Sequence, residues 1–393
     1  MRSRFVDSLH SLRGDVVEFI DNDGSLLLAD DLRASGNRMR SSLIVNSDNL
    51  YSRLATDGAL GFAESYIRGE WSTTDLTSLL RILYRNSSQH RISTAISRLS
   101  LLIQRVLRYF DENTLQGSRR HIAAHYDLSN EFFESFLDPT LMYSSAYFEK
   151  PDMSLHEASI AKLDRICQKL HLEPGHKVLE IGTGWGGFTL HCAKNHDVQI
   201  TTTTISSAQA KKARERFTSA GLNDRVTLLE EDYRNLDGRY DRLVSIEMVE
   251  AVGERYLDEY FQRCGRLLKP GGRFVLQGIV MPEQRYESYR RNVDFIQAYI
   301  FPGGFLPSVT AMQQAVGCHT DLRLVGIEDL SSHYARTLSE WRSRFLAKLP
   351  KIRELGFDDR FIRMWEYYLC YCEAAFREQA VRVVQIVWDK PTD

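Results

Sequence analysis

From about residue 160 onward, helix-spaced apolar runs alternate with short β-branched ones. Residues 155–169 carry helical spacing, 177–181 read as a strand and 188–194 as a helix. A β-branched strand at 198–204 leads to a helix at 208–220, closed by Gly221. Residues 226–229 and 241–246 read as strands, and 256–268 as a helix stopped by Pro270-Gly271-Gly272, with a strand at 273–277 after it. Strand–helix alternation predicts an α/β fold with a doubly wound parallel sheet. Residues 1 to about 85 read as a smaller α+β unit. Apolar runs at 16–20 and 42–45 predict strands, Asn22-Asp23-Gly24 is turn chemistry between them, and 49–59 and 62–67 carry helical spacing.

Between these units, Ile92, Ile96, Leu99, Ile103, Val106 and Leu107 form an apolar stripe, with Arg91, Arg98, Arg105 and Arg108 elsewhere on the same predicted helix. Seven arginines lie between Arg85 and Arg120, against Asp111 and Glu112. Two readings stand: a linker helix docked by its apolar side, or a helix facing anionic lipid head groups.

Composition narrows the class. A chain of 393 residues fits two domains. Its net charge of −2 argues against a globally basic nucleic-acid binder. Cys167, Cys192, Cys264, Cys318, Cys370 and Cys372 form no C-x-x-C pair and no zinc spacing, and read as reduced thiols of a cytosolic protein. The N-terminus has no apolar export region, and no apolar run is long enough to cross a bilayer, so membrane contact is expected to be peripheral.

The sharpest local signal runs Glu180-Ile181-Gly182-Thr183-Gly184-Trp185-Gly186-Gly187, at the end of one strand and the start of a helix. Gly182, Gly184 and Gly186 permit a tight turn and close backbone approach to a ligand. The run is not the G-x-G-x-x-G with an apolar third turn that dinucleotide dehydrogenases prefer, and without G-K-[ST] it is not a P-loop. An acid just before the turn suits a cationic ligand, and S-adenosylmethionine carries a sulfonium and an ammonium group. A purely structural glycine turn is the plainer alternative. The next strand ends with Thr204, Ser206 and Gln209 where nucleotide-binding sheets place an acid for the ribose. Asp232, Tyr233 and Arg234 follow the third strand and offer hydrogen bonds and stacking to an adenine; alone, Asp232 reads equally as a loop cap.

Several motifs resemble the cyclopropane fatty acid synthases: His125-Tyr126-Asp127-Leu128-Ser129-Asn130-Glu131, Met142 to Phe148, the glycine loop, Glu247-Met248-Val249-Glu250-Ala251-Val252-Gly253, Phe301-Pro302-Gly303-Gly304 and His333-Tyr334-Ala335-Arg336-Thr337-Leu338. Gly61 to Trp71 also resembles the accessory domain of the phospholipid-acting members. The resemblance implies a Rossmann-like methyltransferase sheet at 111–393 and a lipid-binding accessory domain with linker helix at 1–110. It implies S-adenosylmethionine as methyl donor, with Tyr143 and Ser144 joining the cofactor set. It also implies a homodimer at the inner face of a membrane. The activity implied is transfer of a methylene group to an unsaturated phospholipid acyl chain, forming a cyclopropane.

An alkene is a poor nucleophile and needs close alignment in a dry pocket. Its attack on the methyl leaves a carbocation, which aromatic faces stabilise, and a base must then remove a proton. Tyr289, Phe295, Tyr299, Phe301 and Phe305, with Trp365, Tyr367, Tyr368 and Tyr371, read singly as helix core and together as a lipid channel. By resemblance the base is a bound bicarbonate, held by Glu250, the backbone of Ser145 and Ile279, Gln277 and Tyr334. The chain departs from the family at Ser145 (usually Cys), Ala251 (usually His) and Gln277 (usually His). A weakened anion site opens a second outcome, a methyl- or methylene-bearing chain. A lipid-binding protein without catalysis is the third reading, opposed by the retained Glu180, Glu250 and Tyr334.

Overall fold

The computed structural model describes Arg2, Phe5 and residues 15–30, 38–87 and 128–392. The amphipathic stretch at 92–107, its arginines Arg91, Arg98, Arg105 and Arg108, and His125-Tyr126-Asp127 lie outside the described residues.

Five parallel strands form the heart of the larger unit: β5 (Lys177–Ile181), β6 (Gln199–Thr203), β7 (Val226–Leu229), β8 (Tyr240–Ile246) and β9 (Leu268–Val280). The sheet is mixed rather than wholly parallel. It has seven strands, because β10 (Arg323–Asp329) and β11 (Arg382–Asp389) complete the order β10-β11-β9-β8-β5-β6-β7. Both added strands run antiparallel to their neighbours. The β11 register sets Gln385 directly against Gln277. Apolar residues of β5, β8, β9 and β11 pack against flanking helices in two clusters, one centred on Phe261, Phe274 and Trp388, the other on Phe188 and Val244. The helix Leu155–Leu170 begins with a capping box in which Ser154 and Glu157 satisfy each other's backbone groups, a device that stabilises by about 1 kcal/mol.

The N-terminal unit is a four-stranded sheet, β2-β1-β3-β4, with β1 (Val16–Ile20), β2 (Leu26–Asp30), β3 (Arg40–Val45) and β4 (Trp71–Ser72). The turn at Asn22-Asp23-Gly24 leads into β2, which the sequence pattern did not predict, instead of joining β1 to β3. The two predicted helices lie within Asn49–Ile67, two helical stretches that meet at a kink at Gly58, where φ is 56°. This unit packs on the helix Asp359–Arg377. Arg363 donates to the carbonyls of Tyr66 and Trp71, and Arg81 and Arg85 both pair with Glu378. The opposite face of the same helix carries Trp365 and Tyr368 into an aromatic cluster with Phe132, Phe133, Phe136 and Tyr143.

Candidate active site

Strand order reverses between β5 and β8, so a crevice opens at their carboxyl ends. The glycine turn follows β5 and Glu247 follows β8. Gly182 has φ 99°, and a Cβ there would sit 3.1 Å from Met248, so glycine lets the two strand ends close on each other. At Gly186 (φ 81°) a Cβ would meet the Phe217 ring at 2.7 Å, so glycine lets the turn lie close against the helix Ser207–Ser219. Gly184 (φ 52°) is different, because a Cβ there meets nothing within 4 Å. Glu180 is buried behind the turn, where the Thr189 and Thr202 hydroxyls donate to it at 2.6 Å each. Burial pushes its carboxyl up to about 7, against the pull of those hydroxyls and of Lys162. Glu180 thus anchors the loop from within.

The other expected cofactor residues cluster at the same edge but are engaged with one another. Thr204 Oγ1 donates to Gln209 Oε1 at 3.0 Å, and Ser206 caps the helix Ser207–Ser219 by accepting from the Gln209 N–H. Asp232 accepts from the Arg234 backbone and grips its guanidinium at 2.8 Å, so its oxygens are already occupied. The buried Tyr233 ring stands edge-on to Tyr260 at 5.3 Å, inside the core. Tyr143 shares a 2.8 Å hydrogen bond with Tyr368, and Ser144 Oγ accepts from the fully buried Lys162 at 2.8 Å.

The residues expected to hold the base do converge, but around a side chain outside the expected set. Glu247 Oε1 accepts from the Ser145 N–H at 2.8 Å and from Gln277 Nε2 at 2.7 Å, and Oε2 accepts from the Tyr334 hydroxyl at 2.7 Å. Ser145 acts through its backbone, its own hydroxyl donating to the Ala146 carbonyl. The Gln277 amide is oriented from behind: Lys169 donates to Gln385, Gln385 Nε2 donates to Gln277 Oε1 at 2.9 Å, and Gln277 Nε2 faces Glu247. Glu247 sits at φ 50°, left-handed for a non-glycine residue, at a cost of about 1–2 kcal/mol that the surrounding contacts must offset.

Glu250 does not touch this cage. One oxygen accepts from the Ile279 N–H; the other is buried without a hydrogen-bond partner. Burial, then the charge of Glu247, push its carboxyl up to about 8. Burial also raises Glu247, opposed by Tyr334, Ser145, Gln277 and Lys162. Three donors on Glu247 favour its ionised form over that of Glu250, whose second oxygen has no hydrogen-bond partner. Glu250 thus stands with Ile279, apart from the other groups expected around a bicarbonate. Ser145, Gln277 and Tyr334 already serve Glu247, and a further anion would meet two carboxyl groups with none of those donors free.

Aromatic rings surround the pair. Tyr334 packs on Phe376 at 4.6 Å, and Tyr143 on Phe133 and Trp341 at 5.3 Å each. Phe301 reaches Tyr143 and Tyr368 at 6.4 and 6.3 Å. The rest of the expected channel divides. Phe295 packs with Tyr299, Tyr367 and Tyr371, and Phe305 with Tyr289, both away from Tyr143. The loop after Phe301 returns to the site, the Phe305 N–H donating to the Glu250 carbonyl at 2.8 Å. Sequence reasoning misses Glu247 and Lys162. Two carboxylates three apart after a strand are the available signal for Glu247, whereas Lys162 has the pattern of any helix lysine.

A family model described as mycolic acid cyclopropane synthetase matches residues 113–386. The chain is 39% identical to the tuberculostearic acid methyltransferase UfaA1 of Mycobacterium tuberculosis, over 94% of this chain and 86% of that one. It is 37% identical to the cyclopropane-fatty-acyl-phospholipid synthase of Escherichia coli K12, over 88% and 87%. Among solved structures, the mycolic acid cyclopropane synthase CmaA1 complexed with SAH and CTAB superposes with a TM-score of 0.66 at 33% identity, over 69% of this chain and 98% of that one.

Proposed function

The chain belongs to the mycolic acid cyclopropane synthetase family, and from that premise we propose that it moves a methylene group from S-adenosylmethionine to the double bond of an unsaturated phospholipid acyl chain, forming a cyclopropane. One observation carries this reading. A buried carboxylate pair, walled by Tyr143, Tyr334, Phe301 and Trp341, stands beside the glycine turn at the point where strand order reverses. The methyl donor is S-adenosylmethionine, whose place is the rim of β5 and β6, with open space at Gly184. The alkene π pair attacks the donor's methyl carbon, and the C–S electrons leave with sulfur. The rings around Tyr143 exclude water from the resulting cation and face it with π density. Loss of a proton from the delivered methyl closes the ring. A bicarbonate base would require Ser145, Gln277 and Tyr334 to release Glu247.

No helix among the described residues is long and apolar enough to cross a membrane. From the family resemblance we read the protein as a peripheral homodimer on the inner face of a bilayer, with 1–110 attaching and 111–393 catalysing. Its support is the arginine excess between Arg85 and Arg120 and the water-insoluble acyl chain.

A second reading, methylenation of the same alkene, is favoured by the 39% identical methyltransferase that spans 94% of the chain. A hydride shift to the cation would precede the same loss of a methyl proton. Incubation with [methyl-13C]S-adenosylmethionine and vesicles of unsaturated phospholipid tests both. Each product gains one CH2; upfield ring protons identify a cyclopropane and vinylidene protons a methylene branch. Absence of label from the acyl chains would refute both.

A further inference from the structure

We propose that the carboxylate of Glu247 is itself the base that takes the proton from the transferred methyl, and that the enzyme needs no bound bicarbonate. The inference deepens the alkylation reading and rests on it.

Three observations meet at this side chain. Its two oxygens take donors from three elements far apart in sequence: the Ser145 N–H, Gln277 on β9 and Tyr334 on the helix Ser331–Ala347. Its backbone is held in a left-handed conformation that glycine would adopt at little cost. Strain kept at a strand end by surrounding contacts marks a side chain whose position matters. It also lies among the rings that suit the cation, since Tyr334 packs on Phe376 and Trp341.

The groups facing Glu247 decide its charge. Lys162 approaches from the helix Leu155–Leu170, Glu250 from the turn after β8, and Tyr368 from the helix Asp359–Arg377. Lys162 offers a positive charge, and the buried, unpartnered oxygen of Glu250 leaves that residue as the partner that keeps its proton. Glu247 therefore enters the reaction ionised. In the step, the methyl C–H bond breaks, its electron pair forms the new carbon–carbon bond, and the proton goes to a Glu247 oxygen. The acid formed then loses that proton to water as product leaves. In methylenation, after the hydride shift, the C–H pair becomes the vinylidene C=CH2 double bond on the chain, and the proton takes the same path.

The test compares wild type with Glu247→Gln and Glu247→Gly, using vesicles of unsaturated phospholipid and labelled S-adenosylmethionine, with and without exhaustive removal of bicarbonate. Wild type should keep its rate without bicarbonate, and [13C]bicarbonate should give it no bound signal in NMR. Glu247→Gln should lose at least about 100-fold, within the usual range for a positioned proton acceptor. Glu247→Gly, which relaxes the backbone, should lose as much in bicarbonate-free buffer. Both variants should bind S-adenosylmethionine as wild type does in calorimetry, which separates lost chemistry from lost folding. A wild type that binds bicarbonate or stops without it overturns the proposal, as does either variant turning over within a few-fold of wild type in bicarbonate-free buffer. If wild type labels no unsaturated chain, the alkylation reading fails and takes this assignment with it. If wild type and Glu247→Gln label equally fast, only the assignment fails.

Discussion

Glu250 carries the clearest electrostatic consequence at the scale of single residues. Its carboxyl is raised from 4.5 to about 8 by burial and by Glu247. A carboxyl whose folded pKa is raised contributes stability that is full below its unfolded pKa and lost as pH rises through the folded value. Its window is therefore pH 4.5 to about 8. Glu180, raised to about 7, acts in the same direction, while Lys162, lowered from 10.5 to about 8, acts above that window. Gln carries no charge, so the Tm of wild type should fall relative to Glu250→Gln between pH 5 and 8, with Glu180 and Lys162 common to both proteins. Parallel Tm curves would show that Glu250 is ionised throughout. Much of this site was legible in the sequence. Ser145 through its N–H, Gln277 and Tyr334 do meet, on Glu247, while Glu250 and Ile279 pair with each other. Glu247 stands in one of the family-like motifs, yet its role depends on burial against Ser145 and Tyr334, more than 80 residues away on either side. No local pattern encodes that.

The register of β11 against β9 does chemical work at the scale of elements. It sets Gln385 opposite Gln277, so the Gln385 amide donates to Gln277 Oε1 and leaves Nε2 for Glu247. Without that donor the Gln277 amide is free to turn, and an oxygen facing a carboxylate is repulsive. Gln385→Leu keeps an apolar strand and removes the donor. Its kcat should fall about tenfold, a loss of about 1.4 kcal/mol, with S-adenosylmethionine affinity unchanged in calorimetry. An unaltered kcat would show that Gln277 is oriented by other contacts. The parallel strands were readable because each is a short apolar or β-branched run bounded by helix signals. β11 was not, since Val383 to Trp388 is apolar except at Gln385, and periodicity alone does not separate such a run from a buried helix. β10 is largely exposed and has no buried face to set a pattern. β2 hid behind a turn whose chemistry is sound but whose partner strand was misplaced.

Across the whole molecule, one helix joins the two units. Asp359–Arg377 holds the N-terminal sheet through Arg363 and, two residues on, places Trp365 in the aromatic cluster beside Tyr143. The segment between residues 87 and 128 is tied at both ends to elements that touch this helix: Leu76–Ser87 through Thr77 and Glu373, and Asn130–Phe136 through Phe132 and Trp365. A lipid-binding segment so tethered would hold the bilayer near the aromatic site. The structure also refines its charge. Arg85 is engaged by Glu378 and Asp15 and is not available to a membrane. Six arginines remain against Asp111 and Glu112. The net charge of the chain is −2, so any attraction to anionic lipid would have to be local. Binding to anionic vesicles should weaken with salt, since exposed charges are screened beyond about 10 Å at 0.1 M. Arg98→Gln with Arg105→Gln should cost about 1 kcal/mol per charge in vesicle sedimentation, without changing S-adenosylmethionine affinity. Arg85→Gln should instead lower stability and leave vesicle binding as it was. If the Arg98/Arg105 variant sediments like wild type at every salt concentration, those arginines face protein and the segment is a docked linker.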